Sequence, residues 1–478
     1  MVKTSLKEKE IIDDKVATMI YATNSPFHIV EHRAFKEMIE ALRPGYKLPN
    51  RHDIGDKYLN KIFEKESSKC VSQLEGQGVC MSIDGWTNTL NEPIICASIT
   101  SHESGTYLVD TVDTSGKAHT AQYLKEIALN FISICEEKYR CKVLSLVTDN
   151  AANITKMREE LIKEKSHLIA YGCSAHILNL LAKDLEVKNI KEHIVQIIKY
   201  FRNNHTASSA YKQAGGFALQ MPQDVRWNTF VDCLHSYLTN WPTIVAVSDG
   251  EKREQLSTDI VKKVMDRGIK RNAEDMYKIL KHIGVALDQI QRDHCNIGEA
   301  TEIWKKLKQE LLGEKNDNIS EEKINKRMDL ALTPAHFLAN ILHPKYKGNL
   351  LSVEEVNTAL EWVNEKYPSL LSLILKFRTE CAPFPKYMLS SSAIEVGPLT
   401  WWQSMGINKG CDDIQNRNLE KLINITNALF TTSASSASIE RIFSSFGMVQ
   451  SKLRNRLGTD KAAKLVFIYK CYNANTKN

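Results

Sequence analysis

The apolar positions change texture several times along the chain. Residues 1–75 are polar with a helical pattern, and "KVATMIYATNSPFHIVEHRAFKEMIEALRPGYKLPNR" is broken by Pro26, Pro44 and Pro49. This predicts a small N-terminal helical domain. From Gly78 the period shortens: "GVCMSIDGWTN", "PIICASITSH" and "GTYLVDTVDT" are β-rich runs separated by turn residues, and they predict an antiparallel meander. The helical period returns in "AQYLKEIALNFISICEEKY", where Leu124, Ile127, Phe131 and Ile134 follow at three- and four-residue steps and make one apolar face. "CKVLSLVTDNAAN" is then almost continuously apolar, as a strand covered on both faces would be, and it ends in Asp149. "HLIAYGCSAHILNLLAKDL" reads as a further short strand running into a helix.

Between 190 and 390 the pattern is almost entirely helical, as in "KNIKEHIVQIIKYFRNN" and "DMYKILKHIGVALDQIQRD", with neither an internal repeat nor a low-complexity block. The C-terminal part starts near "GPLTWWQSMG" and holds two amphipathic helices, one marked by Ile439, Ile442, Phe443 and Phe446, the other by Leu465, Ile468, Tyr469 and Tyr472. The serines of "SASSAS" supply N-caps for the first. The expected class is α/β with a large all-helical insertion. The expected domains are 1–75 (helical), 76–188 (the sheet), 189–394 (helical insertion) and 395–478 (C-terminal helices).

Composition adds little that is specific. The chain has 478 residues, 43% of them hydrophobic and 25% charged, which is the make-up of a globular protein and excludes disordered and fibrous classes. A net charge of +6 over this length permits a nucleic-acid partner without identifying one. Eleven cysteines without paired spacing point to reduced thiols in the cytosol or nucleus, not to a disulfide framework. The charged start "MVKTSLKEKEIIDDK" has no signal-peptide core, and no apolar run approaches the ~18 residues a membrane span needs. No membrane partner is expected.

The chemistry gathers at strand ends. Asp84 closes the first β run and Asp149 the apolar strand; a crossover helix that returned the second beside the first would bring both carboxylates to one sheet edge. Glu440 lies next to Ile439 at the rim of an apolar helical face. Three such carboxylates suit two Mg²⁺ ions about 3.5–4 Å apart, the arrangement that clamps a phosphodiester. The alternative is plainer: Asp at a strand end is commonly a turn residue, and Glu on a helix is commonly solvated.

Six segments, in order, resemble the hAT superfamily of DNA transposases: "SIDGWTNTLNEPI", "LVTDNAANI", "HLIAYGCSAHILNLLAKD", "VRWNTF", "ILHPKY" and "SASSASIERIFSSFGMVQSKLRNRL". The resemblance implies an RNase H-like catalytic domain interrupted by a helical insertion, with C-terminal helices that complete it and form a dimerisation surface. It implies that Asp84, Asp149 and Glu440 bind Mg²⁺ (or Mn²⁺) and catalyse DNA cleavage and strand transfer, in a nuclear protein whose partners are DNA and a second copy of itself. Trp86 is then a packing residue beneath the site.

Cys173 and His176 form a C-x-x-H pair. Structural zinc needs four ligands and no second pair has suitable spacing, so none is predicted. A buried Cys with a hydrogen-bonded His is one reading; the resemblance implies another, with Cys173 near the active site and His176 arranging DNA. Arg226 and Trp227 are either core packing with a snorkelling cation or, by resemblance, the pair that assists hairpin formation by stacking on an extruded base. Arg454 and Arg456 with Lys452 and Lys461, and Lys262, Lys263, Arg267, Lys270 and Arg271, are either solvated helix faces or phosphate contacts.

The sequence departs from the family in one respect. Many members carry a BED-type zinc finger ahead of the catalytic domain, whereas here the first cysteine is Cys70. Two functions therefore stay open: a metal-dependent transposase, and a domesticated or decayed non-catalytic nuclear protein acting through dimerisation and DNA or chromatin binding.

Overall fold

Val79, Met81 and Ile83 alternate with Cys80, Ser82 and Asp84 along β1 (Gly78–Thr87), and residues 79–83 are all buried, so this strand is covered on both faces. In the computed structural model, the residues described are 4–88, 90–187, 189–222, 227–314, 316–406, 414–450 and 457–473. β2 (Pro93–Ser101) runs antiparallel to β1 with Cys96 opposite Asp84, and β3 (Gly105–Asp113) runs antiparallel to β2. These are the three strands of the predicted meander. β4 (Lys142–Thr148) joins the other side of β1 in parallel, with Val147 opposite Ser82. The five-stranded order is β3-β2-β1-β4-β5, with β5 at Ile169–Gly172.

Parallel neighbours need a crossover connection. Helix Ala121–Glu137 supplies it, capped by Thr120, whose hydroxyl accepts from Tyr123 N–H, and it buries Leu124, Ile127 and Phe131 as its spacing predicts. Register then matters: two residues beyond the Ser82–Val147 pair, both strands arrive at an aspartate, Asp84 and Asp149.

The chain forms two compact units, one of Met1–Tyr171 with Thr431–Asn478 and one of Gly172–Phe430. In the first, α1 (Leu6–Ala22), α2 (Leu59–Leu74), the crossover helix α3 (Ala121–Glu137), α4 (Ala152–Glu164) and the sheet share a single core. Ile20, Leu74, Ile99, Phe131, Leu146 and Phe446 all belong to it. The N-terminal helices thus complete the core of the sheet unit, and burial of each large side chain stabilises it by about 1.5–3 kcal/mol. The last helix, Thr459–Asn473, buries Ala462, Leu465, Val466, Phe467 and Ile468. Its covered surface is wider than the stripe read from the sequence, because β3, α1, α2 and the preceding helix all pack on it, while Tyr472 is left exposed.

In the second unit the described regular elements from Ser174 to Phe430 are helical. Phe377, Phe384, Trp401 and Trp402 form its aromatic centre, and Trp402 Nε1 donates to the Leu342 carbonyl at 2.9 Å. The molecule is mixed α/β. Among the described residues no helix is long and apolar enough to cross a membrane.

Candidate active site

Ser82, Asp84 and Trp86 occupy one face of β1, because alternate strand residues point the same way. Helix α6 (Ala437–Val449; α5 is Ser174–Asp184 of the second unit) packs against β1 and β2. Two contacts seat it on that face: Ser438 Oγ stands 3.5 Å from Ser82 Oγ, and the Trp86 ring lies 4.5 Å from that of Phe443 and 4.8 Å from that of Phe446. Glu440 falls between Ser438 and Phe443 in the first turn of the helix, the end at which the helix dipole favours an acid. Trp86 is therefore a packing residue beside Asp84, as the sequence suggests.

The environment of Asp84 is unusual for a carboxylate. Burial raises its pKa, and the negative charges of Asp149 and Glu440 push the same way; a 2.8 Å hydrogen bond from Gly85 N–H to Oδ1 opposes them. The balance leaves the group at about 7. Three elements far apart in sequence thus place Asp84 in the fields of Asp149 and Glu440. Among the described residues, however, no three His, Cys, Asp or Glu side chains stand in ligand contact around a common point.

Asp149 follows β4 directly. Its Oδ1 accepts from Ala151 N–H at 3.1 Å, and its main-chain carbonyl accepts from Thr148 Oγ1 at 3.0 Å and from Arg158 Nη1 at 2.5 Å. Asp84 and Asp149 both line a cavity of about 290 Å³ with Trp86, His119, Asn153 and Met157, and the rest of its wall is largely isoleucine and leucine. Glu440 does not line it. His119 Nε2 is 2.8 Å from Thr114 Oγ1, and Asn153 Nδ2 donates to the His119 carbonyl at 2.9 Å, which ties the loop before α3 to the start of α4.

His119, Asn153 and Arg158 escape the sequence reading. For Arg158 a signal exists: with Ile154, Met157 and Leu161 it falls inside the apolar stripe of α4, where a basic residue is out of place. His119 and Asn153 carry no pattern of their own and are brought in by the turn of the chain.

Cys173 and His176 belong to the second unit, where Cys173 precedes α5 and is buried, while His176 in its first turn is exposed. Trp227 begins a helix that runs to Ser248, but its side chain, with Arg226, Arg454 and Arg456, lies outside the described residues. Part of the second basic segment has structural work: Lys263 Nζ donates to Asp259 at 2.5 Å and to Gln196 at 2.7 Å, and Lys270 pairs with Glu274 at 2.9 Å and stands 4.6 Å over the Trp241 ring.

Residues 49–202 match a family described as a domain of unknown function, DUF659. A Zea mays protein named as an AC transposase is 30% identical over 176 residues, which cover 33% of this chain and 21% of that protein. A second Zea mays protein, named as an AC9 transposase, is also 30% identical over 176 residues, covering 33% and 20%. Zinc finger BED domain-containing protein RICESLEEPER 3 of Oryza sativa subsp. japonica is 24% identical over 277 residues, 52% of this chain and 36% of its own length. The chain spans well under half the length of each of these relatives.

Proposed function

Because the chain is an hAT transposase-like protein, we propose that Asp84, Asp149 and Glu440 form the catalytic centre of a DNA-cleaving and DNA-joining activity. The observation that carries this is geometric: the register of β1 and β4 sets Asp84 level with Asp149, and α6, which bears Glu440, is seated on the Asp84 face of β1, while burial and the charges of Asp149 and Glu440 raise the Asp84 carboxyl. Carboxylates are crowded in this way where something positive is to be held. The topology supports an RNase H-like reading, in which carboxylates just beyond the paired stretch of two central parallel strands work with an acid on a helix that returns late in the chain. The region between, in the second unit, is then the helical insertion.

The donor chemistry suits magnesium or manganese, since all three groups offer hard oxygens and the repulsion felt at Asp84 is what a divalent cation would relieve. Bound by Asp84, Asp149 and Glu440, Mg²⁺ or Mn²⁺ supplies charge stabilisation at a phosphodiester and a more acidic water. The chain's own groups do the positioning. Gly85 N–H and Ala151 N–H each orient one aspartate, and Trp86 against Phe443 and Phe446 sets the helix that carries Glu440. The cavity beside the aspartates accepts an uncharged part of the nucleotide against its aliphatic wall. On the same reading His176, Arg226, Trp227, Arg454 and Arg456 contact DNA. The protein works in the nucleus and dimerises through its C-terminal region.

The test is nicking of supercoiled or transposon-end DNA by the purified protein with Mg²⁺ or Mn²⁺, comparing wild type with Asp149→Ala. Metal-dependent nicking lost on substitution supports the proposal. Identical behaviour of the two proteins across a wide range of salt overturns it and leaves DNA or chromatin binding without catalysis.

A further inference from the structure

Arg158 is a buried cation in an apolar stripe. It is 8% exposed, between Met157 and Leu161, which are fully covered. A charged group rarely enters such a place unless its hydrogen-bonding groups are met. Here they are met by neutral oxygens. Nη1 donates to Thr148 Oγ1 at 2.6 Å and to the Asp149 carbonyl at 2.5 Å, and Nη2 donates to Thr155 Oγ1 at 3.1 Å. None of these acceptors is a carboxylate, so the charge is not spent in a contact ion pair; Asp149 and Glu159 feel it through space.

Thr148 is the last residue of β4, and Asp149 is the next residue along. The guanidinium therefore grips the strand end from both sides of the peptide that leads into Asp149. Thr148 Oγ1 adds a bond to the Asp149 carbonyl at 3.0 Å, and Ala151 N–H fixes the carboxylate from the far side at 3.1 Å. Nη1 takes both strand-end oxygens while Nη2 is held by Thr155 of α4, so the planar group fixes the strand end relative to the helix, which a lysine ammonium on its flexible stem cannot do. A leucine or methionine at 158 would complete the apolar stripe with no cation to desolvate. We propose that Arg158 is a positioning residue: its guanidinium, anchored on α4, holds the end of β4 so that the Asp149 carboxylate faces the Asp84 side chain and the cavity. This rests on Asp149 being a metal-binding carboxylate.

Three variants test it in the full chain: Arg158→Lys keeps the charge without the fork, Arg158→Met removes both, and Thr148→Val removes one acceptor and leaves the guanidinium. Mn²⁺ binding is read by water-proton relaxation, oligonucleotide cleavage as separate kcat and KM values, and folding by circular dichroism. Loss of an outer-shell partner typically weakens metal binding about 10–100-fold. We expect that loss in both Arg158 variants, with kcat lowered and KM for DNA little changed. Thr148→Val should lose less, and combined with Arg158→Met it should add less than the sum of the two, as for residues in one network. Mn²⁺ affinity equal to wild type in the folded variants would show Arg158 to be structural only, and restoration by Arg158→Lys would show that charge and not the fork matters; either overturns the proposal. Thr148→Val decides the matter should Arg158→Met fail to fold. If wild type and Asp149→Ala bind Mn²⁺ equally, it is the assignment of the metal site that fails, and the Arg158 proposal goes with it.

Discussion

Asp84 holds its carboxyl where charge is expensive. Its ordinary pKa lies near 4, and in the folded chain it stands at about 7, raised first by burial and then by Asp149 and Glu440. A carboxyl raised by folding costs no stability below about pH 4, costs progressively more as the pH rises through 7, and costs most above that. Asp84→Asn keeps an oxygen to accept from Gly85 N–H while removing the charge. The variant should therefore melt higher than wild type at pH 8, by at most about 4 kcal/mol of stability, and should lose this advantage at pH 4. Thermal melts at the two pH values check it, and a difference that did not depend on pH would refute the assignment. DNA cleavage by the same variant should be lost. Both aspartates are legible in the sequence as acids closing apolar runs, but the raised pKa of Asp84 is not, because it depends on burial and on charges supplied by residues remote along the chain.

At the scale of elements, the seat of α6 is the contact to examine. The face of Ile439, Ile442, Phe443 and Phe446 is readable from its spacing, and the structure buries Ile439, Ile442 and Phe446 in the core of the first unit. What that face meets is not readable: Trp86 reaches it only because β1 and α6 are neighbours in space. Trp86→Ala removes an aromatic body from between two phenylalanines. Core Trp→Ala changes cost about 3–5 kcal/mol, and Trp86 is only partly covered, so we expect about 2–3 kcal/mol in urea unfolding of the full chain. Trp86→Phe should cost less than half of that. Since the same contact sets the helix that carries Glu440, Trp86→Ala should lower cleavage more than Trp86→Phe at equal fractions folded. Equal activity in the two variants would detach Trp86 from the site. The last helix shows the limit of periodicity: its stripe of Leu465 and Ile468 is real, but packing on several sides adds Val466 and Phe467 to the buried set.

At the scale of the whole molecule, the sheet unit is assembled from two stretches that the sequence keeps apart. The chain leaves it after Tyr171 and returns at Thr431. The last helix is bound into it by Lys464 Nζ to Asn60 at 2.6 Å, Tyr472 Oη to Glu66 at 2.9 Å, and Phe467 against Phe63 at 5.1 Å. Deleting residues 459–478 should accordingly unfold the sheet unit, since it strips Leu465, Val466, Phe467 and Ile468 from its core. Near-ultraviolet circular dichroism and solubility check this; a deleted chain that kept a native signal would show the helix to be dispensable. That deletion is thus unsuited to testing dimerisation, which calls for sedimentation of the intact chain over a range of concentrations.

By itself the sequence determined most of the strands and helices, though not α4, the apolar face of several of them, that the protein is mixed α/β, and that acids follow two of its apolar runs. These are local matters, set by a backbone period of two or of about 3.6 residues. Only the tertiary structure decided that β4 lies parallel beside β1 in a register that sets Asp84, inside β1, level with Asp149 just past β4, that Glu440 comes within range of Asp84, and that Arg158 holds the end of β4. Those outcomes rest on pairing, burial and electrostatic fields between residues far apart in the chain, and no local pattern encodes which distant partner a residue will meet.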